Sequence, residues 1–402
     1  MNRRIAYCTI GSANYLGRVQ VLGRSLRQYN PGADFHVLLG ERPDVCRELS
    51  QKTGMDFHSV DDIGCEDWLK MAFSYTVTEF NTAVKPFFLE KLMEKDNRGL
   101  FYLDPDIEIF DSLEDMERLI PLYDIILTPH ICRPFLNDGK IPRMEAFVRG
   151  GQFNLGFLGI SNTDISRDVL KWWQNVCREY CLHRKDHSYF LDQFWAGVFP
   201  SFVEKTYILR DSAYNVAYWN VFQRDLKYRE DRWWVEGRRL KFFHFSGISL
   251  DDPMKVSGHQ NRVSAPGDSD LYRLLFQYAR KIKGQEWSVF NDFPYSFGRY
   301  ENGEPVKDED RRNYLKLSGE ERKCIPNPFK AYHKIKKIVR LDDGPGYGRF
   351  YYFKWWFLAR YQILRDRLLP PKSKRRKLAS FAWQKLTALF RRPGGAGAAR
   401  QR

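Results

Sequence analysis

The chain has 402 residues, 43% of them apolar, which is enough for a core of its own and excludes an intrinsically disordered protein. Its net charge of +15 would suit a nucleic acid or an anionic membrane if evenly spread, but ten Lys or Arg and no acid fall within residues 371–402, leaving an ordinary +5 for the rest. The longest run without Lys, Arg, Asp or Glu, residues 150–163, is too short for the ~20 apolar residues of a transmembrane helix.

Residues 4–10 alternate like a strand and lack a small-residue cleavage site after them, so they are read as the first strand and not as a signal peptide. Apolar runs and amphipathic stretches then alternate: a helix over 15–28, a strand over 35–39, a helix over 45–53, a short strand over 56–60, a helix over 82–94 and a strand over 100–103. Repeated βα units predict a parallel sheet with helices on its faces. Further strands are expected at 124–128, 153–160 and 240–243, with a helix carrying Trp172 and Trp173 between the last two. Seven scattered cysteines read as free thiols of a reducing compartment; Cys177 and Cys181, one helical turn apart, have no second pair to complete a zinc site.

The tripeptide Asp104-Pro105-Asp106 follows the apolar run ending at Leu103. Two carboxylates at i and i+2 just past a buried strand can hold a divalent cation and leave coordination positions for phosphate oxygens. In open α/β sheets ligands bind at the carboxyl ends of strands, which is where this pair falls. Asn154 is a polar residue inside an apolar strand and needs a partner, either backbone or a ligand hydroxyl. Asp211, Tyr214, Asn215, Trp219 and Asn220 lie in a segment rich in amides and aromatics, a composition suited to gripping carbohydrate.

YCTIGSANYLGRVQVLGRSL, TAVKPFFLEKL, FYLDPDIEIF, GGQFNLGFLGI, LDQFW and FFHFSG occur in an order that resembles glycosyltransferases of the GT-A fold, most of all glycosyltransferase family 8, over residues 4–250. That resemblance implies a GT-A type, Rossmann-like α/β domain with a mixed, mainly parallel sheet and flanking helices. It implies an enzyme that transfers a hexose from a nucleotide sugar, UDP-linked by preference, to a glycan or lipid-linked glycan, with retention, in bacterial surface polysaccharide or lipopolysaccharide assembly. Asp104, Asp106 and His244 would hold Mn²⁺ or Mg²⁺, an imidazole favouring Mn²⁺. Thr9, Ser12, Tyr15, Lys85, Asp104, Asn154 and Gly247 would contact the nucleotide sugar, Asp192 and Gln193 would stand beside the anomeric carbon, and Tyr214, Asn215 and Trp219 would meet the acceptor. The Lys and aromatic that follow the family's HxxG are replaced here by Ile248-Ser249-Leu250-Asp251, leaving Lys255, His259 or Arg262 as substitutes for a phosphate clamp.

The resulting division is a catalytic domain over 1–260, an accessory segment packed on it over 261–325, and a basic aromatic tail over 326–402. Within 261–325, residues 295–314 resemble a segment of bacterial glycan-assembly glycosyltransferases, with Asn302-Gly303 a turn between two strand-like runs. In the tail, residues 349–369 form an amphipathic helix candidate with Trp355, Trp356 and Phe357 beside Lys354, Arg360 and Arg365, and a second basic helix is expected over 375–390. This pattern suits an anionic bilayer surface and predicts a cytoplasmic protein held peripherally at the inner face of the cytoplasmic membrane. Two other readings compete: a catalytically silent glycan-binding module, and a nucleic-acid binder acting through the tail. The core carries no nucleic-acid motif, so no nucleic-acid partner is expected.

Overall fold

The apolar runs become the strands of one central sheet. In the computed structural model, which describes residues 4–95, 97–183 and 190–339, these are β1 (Arg4–Gly11), β2 (Asp34–Leu39), β3 (His58–Ser59), β4 (Asn97–Leu103), and beyond a short strand, β5 (Ile107–Ile109), also β6 (Ile125–Pro129), β7 (Phe153–Ser161) and β8 (Thr206–Ile208). Their order is β3-β2-β1-β4-β7-β6-β8. Every neighbouring pair is parallel except those made by β7, which runs against β4 and β6. The mainly parallel α/β architecture expected from the alternating pattern is therefore present. All nine residues of β7 are buried, as a strand covered on both faces requires, which is why its sequence reads as an unbroken apolar run around Asn154.

The remaining strands are β9 (Val216–Ala217), β10 (Leu226–Arg229), β11 (Arg232–Val235), β12 (Arg238–Arg239) and β13 (Phe242–His244). β10, β11 and β12 form a small antiparallel sheet, while β13 lies between β5 and β9. The register sets His244 opposite Ile107 and Phe243 opposite Glu108. Phe245 N–H closes the same ladder on the Asp106 carbonyl at 2.9 Å. This pairing brings the second half of the chain onto the Asp-Pro-Asp turn.

The helix expected over 82–94 is two helices, Val77–Ala83 and Lys85–Met93. Pro86 has no N–H to continue a helix from upstream but fits the first turn of a new one. A capping box between Thr76 and Glu79 starts the earlier helix. Around Asn302-Gly303, only a single antiparallel bridge, Arg299 to Pro305, forms in place of two strands, with Gly303 at φ 89° making the turn.

Residues 261–325 lie on the same compact unit as the sheet. The helix Asp270–Lys283 buries Leu274, Leu275, Tyr278 and Ile282 at the i, i+1, i+4, i+8 spacing of one face, and Tyr278 stacks on Phe245 with ring centroids 3.6 Å apart. Arg311 is buried and donates to the carbonyls of Ala72, Phe73, Tyr75 and Phe297 at 2.7–3.0 Å. The amphipathic tail from residue 349 and the second basic helix lie outside the described residues. Among those described, no helix is long and apolar enough to cross a membrane.

Candidate functional site

β4 ends at Leu103, and the chain turns at once: Asp104 N–H bonds the Gly156 carbonyl at 2.8 Å and Ile107 N–H bonds the Asp104 carbonyl at 3.1 Å. The turn points both carboxylates toward β13. His244 Nε2 stands 3.0 Å from Asp106 Oδ1 and 3.6 Å from Asp104 Oδ2. One ligand atom from each of the three residues lies within 4.8 Å of the others, a span that one divalent cation with bonds of about 2.0–2.6 Å can close. Two oxygens and an imidazole nitrogen are a donor set that Mn²⁺ or Mg²⁺ accepts. Burial disfavours charge on both His244 and Asp106, yet their mutual attraction holds the imidazole above and the carboxyl below their ordinary ranges.

Three neighbours fix this cluster. Tyr102 Oη donates to Asp104 Oδ1 at 2.7 Å. Gly156 leaves space for the imidazole, since a Cβ there would stand 2.6 Å from His244 Nδ1 and 2.8 Å from Asn154 Oδ1. Trp219 meets the imidazole edge-on, ring centroids 5.1 Å apart. Strand alternation places Tyr102 on the face of Asp104, so its role was readable from the i, i+2 spacing. Gly156 carried no such signal.

Lys85 begins its helix, as its place before Pro86 predicts, but its side chain turns inward. Its ammonium is 2.6 Å from Asp192 Oδ2, 3.0 Å from the Leu155 carbonyl and 4.2 Å from the centre of the Tyr102 ring. Both members of the pair are buried. Desolvation works against each charge; it pushes the Asp192 carboxyl up against the pull of Lys85, whereas for Lys85 the attraction of Asp192 and Asp104 outweighs it and the ammonium is held up. Leu191, immediately before, is held at φ 55°, a left-handed conformation that costs a branched side chain on the order of 1–3 kcal/mol and aims Asp192 inward. Gln193 donates to the Gly150 carbonyl at 2.6 Å.

At the end of β1, Thr9 is fully buried, and Ser12 Oγ donates to Asn14 Oδ1 at 2.6 Å. Tyr15 is half-buried beneath the Arg18 guanidinium, 4.5 Å from its ring. Burial, and then the charge of Asp106, raise the Tyr15 hydroxyl above its ordinary range. The buried Glu41 carboxylate accepts Ala13 N–H at 2.9 Å and binds Ser296 through both its N–H and its hydroxyl, tying this turn to the accessory segment.

Asn154 is satisfied within the protein: Oδ1 accepts from Gly156 N–H at 3.2 Å and Asn215 Nδ2 at 3.0 Å, and Nδ2 lies 3.3 Å from His130 Nε2. Asn215, at φ 49°, also donates to Thr128 at 2.8 Å. Of the segment read as carbohydrate-gripping, Asn215, Trp219 and Asn220 are buried around His130 and His244, forming the floor of the cluster. Tyr214 is turned away into the core against Phe242, its hydroxyl bonded to Asp115. Among the candidates for a phosphate clamp, Arg262 is engaged by both oxygens of Asp138 and packed over Phe135 and Phe222. Lys255 pairs with Asp252 at 3.2 Å. His259 lies over Gly247, whose φ of 67° and closeness to Ser257 Oγ, 2.7 Å from where a Cβ would be, require glycine.

No protein-family model matches the chain. Over 255 residues, 61% of this chain and 78% of the other, it is 25% identical to the uncharacterised protein YfnD of Bacillus subtilis (strain 168). Solved structures to which it is similar include the glycosyltransferase GlyE of Streptococcus pneumoniae TIGR4, at 17% identity over 75% of this chain and 67% of that one, with a TM-score of 0.41. Another is the galactosyltransferase LgtC in complex with donor and acceptor sugar analogues, at 14% identity over 71% and 99% of the two chains, TM-score 0.42. Mouse xyloside xylosyltransferase 1 is similar at 16% identity over 60% and 97%, TM-score 0.37. All three are glycosyltransferases.

Proposed function

We propose that the protein is a divalent-metal-dependent glycosyltransferase that moves a hexose from a nucleoside-diphosphate sugar, UDP-linked by preference, to a glycan or lipid-linked glycan acceptor in surface-polysaccharide assembly. The observation that carries this reading is the convergence of Asp104, Asp106 and His244 at the carboxyl end of β4, beside the buried Lys85–Asp192 pair. A bound Mn²⁺ or Mg²⁺ would supply charge neutralisation for the departing diphosphate. The protein's own contribution is orientation. Tyr102 fixes one carboxylate, Gly156 and Trp219 fix the imidazole, and Lys85 holds Asp192 in one position. Thr9, Ser12 and Tyr15 are proposed for the nucleotide, with Gly247 and His259 on its phosphate side, and Asp192 and Gln193 for the sugar. A retaining course would ask Asp192 to stabilise developing positive charge on the sugar. Asn215 and Trp219 are proposed to support the acceptor side as its floor, and Tyr214 through the core it packs into. The basic aromatic tail is proposed to bring the enzyme to an anionic membrane surface.

The test is a panel of UDP-, GDP- and dTDP-sugars scored for Mn²⁺-dependent thermal stabilisation and for release of nucleoside diphosphate. One donor should stabilise the wild type and be turned over, and Asp106→Ala and His244→Ala should lose both effects while unfolding cooperatively. Retention of activity by both variants would sink the metal assignment. Co-sedimentation with anionic vesicles, lost in high salt, checks the tail.

A further inference from the structure

Residues 132–133, 210–212, 223–224, 236 and 238, beside β8 and the β10–β12 sheet, line a half-open cavity of about 220 Å³ that the proposed chemistry does not use. Its lining brings together four guanidinium groups, Arg133, Arg210, Arg224 and Arg238, with two carboxylates, Asp211 and Glu236. Both acids are already engaged: Arg133 pairs with Glu236 at 2.8 Å and Arg238 with Asp211 at 2.5 Å. Arg224 spends one nitrogen on the carbonyls of Ser212 and Tyr214, at 2.8 and 2.9 Å, and has no carboxylate partner among the described residues. Arg210 is exposed and donates to the Ile208 carbonyl at 3.4 Å, with no carboxylate partner among the described residues. Two guanidinium charges are thus left without a carboxylate partner at this concave site, that of Arg224 half-buried and that of Arg210 exposed, and the Arg224 group is pulled down to about 10, first by burial.

Burying a guanidinium without a counter-charge is expensive, and the arrangement is explained if a ligand supplies the missing anion. Arginine's planar fork binds phosphate and carboxylate oxygens in pairs. A phosphate monoester carries roughly −1.5 to −2 at neutral pH, which matches two uncompensated guanidinium groups better than the single charge of a carboxylate. The volume lies below the roughly 300–1,000 Å³ usual for sites that enclose drug-sized ligands, and so suits a phosphate group with little attached to it.

We propose that this cavity is a phosphate-binding site, distinct from the Asp104–Asp106–His244 cluster, that takes inorganic phosphate or the phosphate group of a small ester. It lies near that cluster along the chain: Arg133 is three residues after His130, and Arg224 is four after Asn220, whose amide bonds the His130 carbonyl at 3.1 Å.

Cys132 is exposed at the rim and Cys324 is exposed elsewhere, which provides a probe and an internal control in one protein. Alkylation of the full-length protein is followed at each cysteine by peptide mass spectrometry in inorganic phosphate, glucose 6-phosphate, sodium acetate and sodium chloride at matched ionic strength. Phosphate at ten times its dissociation constant should slow modification of Cys132 about tenfold and leave Cys324 unchanged. Arg210→Gln should abolish this protection with an unchanged thermal midpoint, and Arg133→Gln is the second variant should the first not fold. Saturation at a lower concentration of glucose 6-phosphate than of phosphate identifies an ester as the ligand; the reverse identifies the free anion. Equal protection by chloride or acetate, no protection by either phosphate, or full protection in a folded Arg210→Gln protein would overturn the proposal.

Discussion

Gly156 is where a single hydrogen in place of a methyl decides the geometry of the metal cluster. The imidazole of His244 and the amide of Asn154 both press against it, so Gly156→Ala must displace one of them. The imidazole sits at the end of a three-residue strand and has Trp219 on its far side, so little can relax. We expect Gly156→Ala to fold with a loss of about 1–3 kcal/mol from overpacking. Its metal-dependent stabilisation should fall toward, but not beyond, the loss seen in His244→Ala; calorimetry with and without Mn²⁺ separates the two effects. Lys85 makes the complementary case. Lys85→Met leaves the Asp192 carboxylate buried without its partner, and a loss of about 3–5 kcal/mol is expected in urea unfolding. The double variant Lys85→Met, Asp192→Leu should recover much of that stability and none of the glycosyl transfer. Recovery of transfer would remove Asp192 from the site.

Among elements, β13 does the joining and the accessory segment does the bracing. Three ladder positions against β5 deliver His244 to Asp106, and the pairing is stabilised from outside by the helix Asp270–Lys283, where Tyr278 stacks on Phe245 and Lys281 pairs with the buried Glu108. Farther along, Arg311 occupies the point where the chain leaves the helix Trp68–Ser74, and its fork satisfies three carbonyls there and a fourth at Phe297. Burial pulls this guanidinium below its ordinary range. Arg311→Met should cost about 3–5 kcal/mol by leaving buried acceptors unpaired, read as a lower urea midpoint. Arg311→Lys should restore only part, because an ammonium cannot reproduce the planar fork. An equal midpoint for all three proteins would mean that the segment is not needed to hold residues 72–75.

For the molecule as a whole, acid stability depends on histidines that fold neutral. Burial holds both His58 and His130 down to about 4, with the neighbouring His36 adding to the effect on His58. In the unfolded chain the same groups protonate near 6.5. Between those values the unfolded state takes up protons that the folded state refuses, so stability is fully present above about pH 6.5 and is lost as pH falls toward about 4. Urea midpoints at about pH 7 and about pH 4.5 should show that loss, and His58→Asn should reduce its slope. The strands β1, β2, β4 and β7 and the position of Asp104 and Asp106 off the end of β4 were legible in the sequence, because each depends on local periodicity; the break at Val84 was not, since the pattern reads as one helix over 82–94. The motif order also grouped His244 with Asp104 and Asp106, and the structure brings the three side chains together. What the sequence left open were partners distant along the chain. Asn215 donates to Asn154, Tyr214 turns into the core, Lys85 reaches Asp192 rather than solvent, and Arg262 is taken by Asp138. Only the tertiary structure decides such cases, because the free energy of a buried polar group is set by which group stands opposite it, and periodicity carries no record of that.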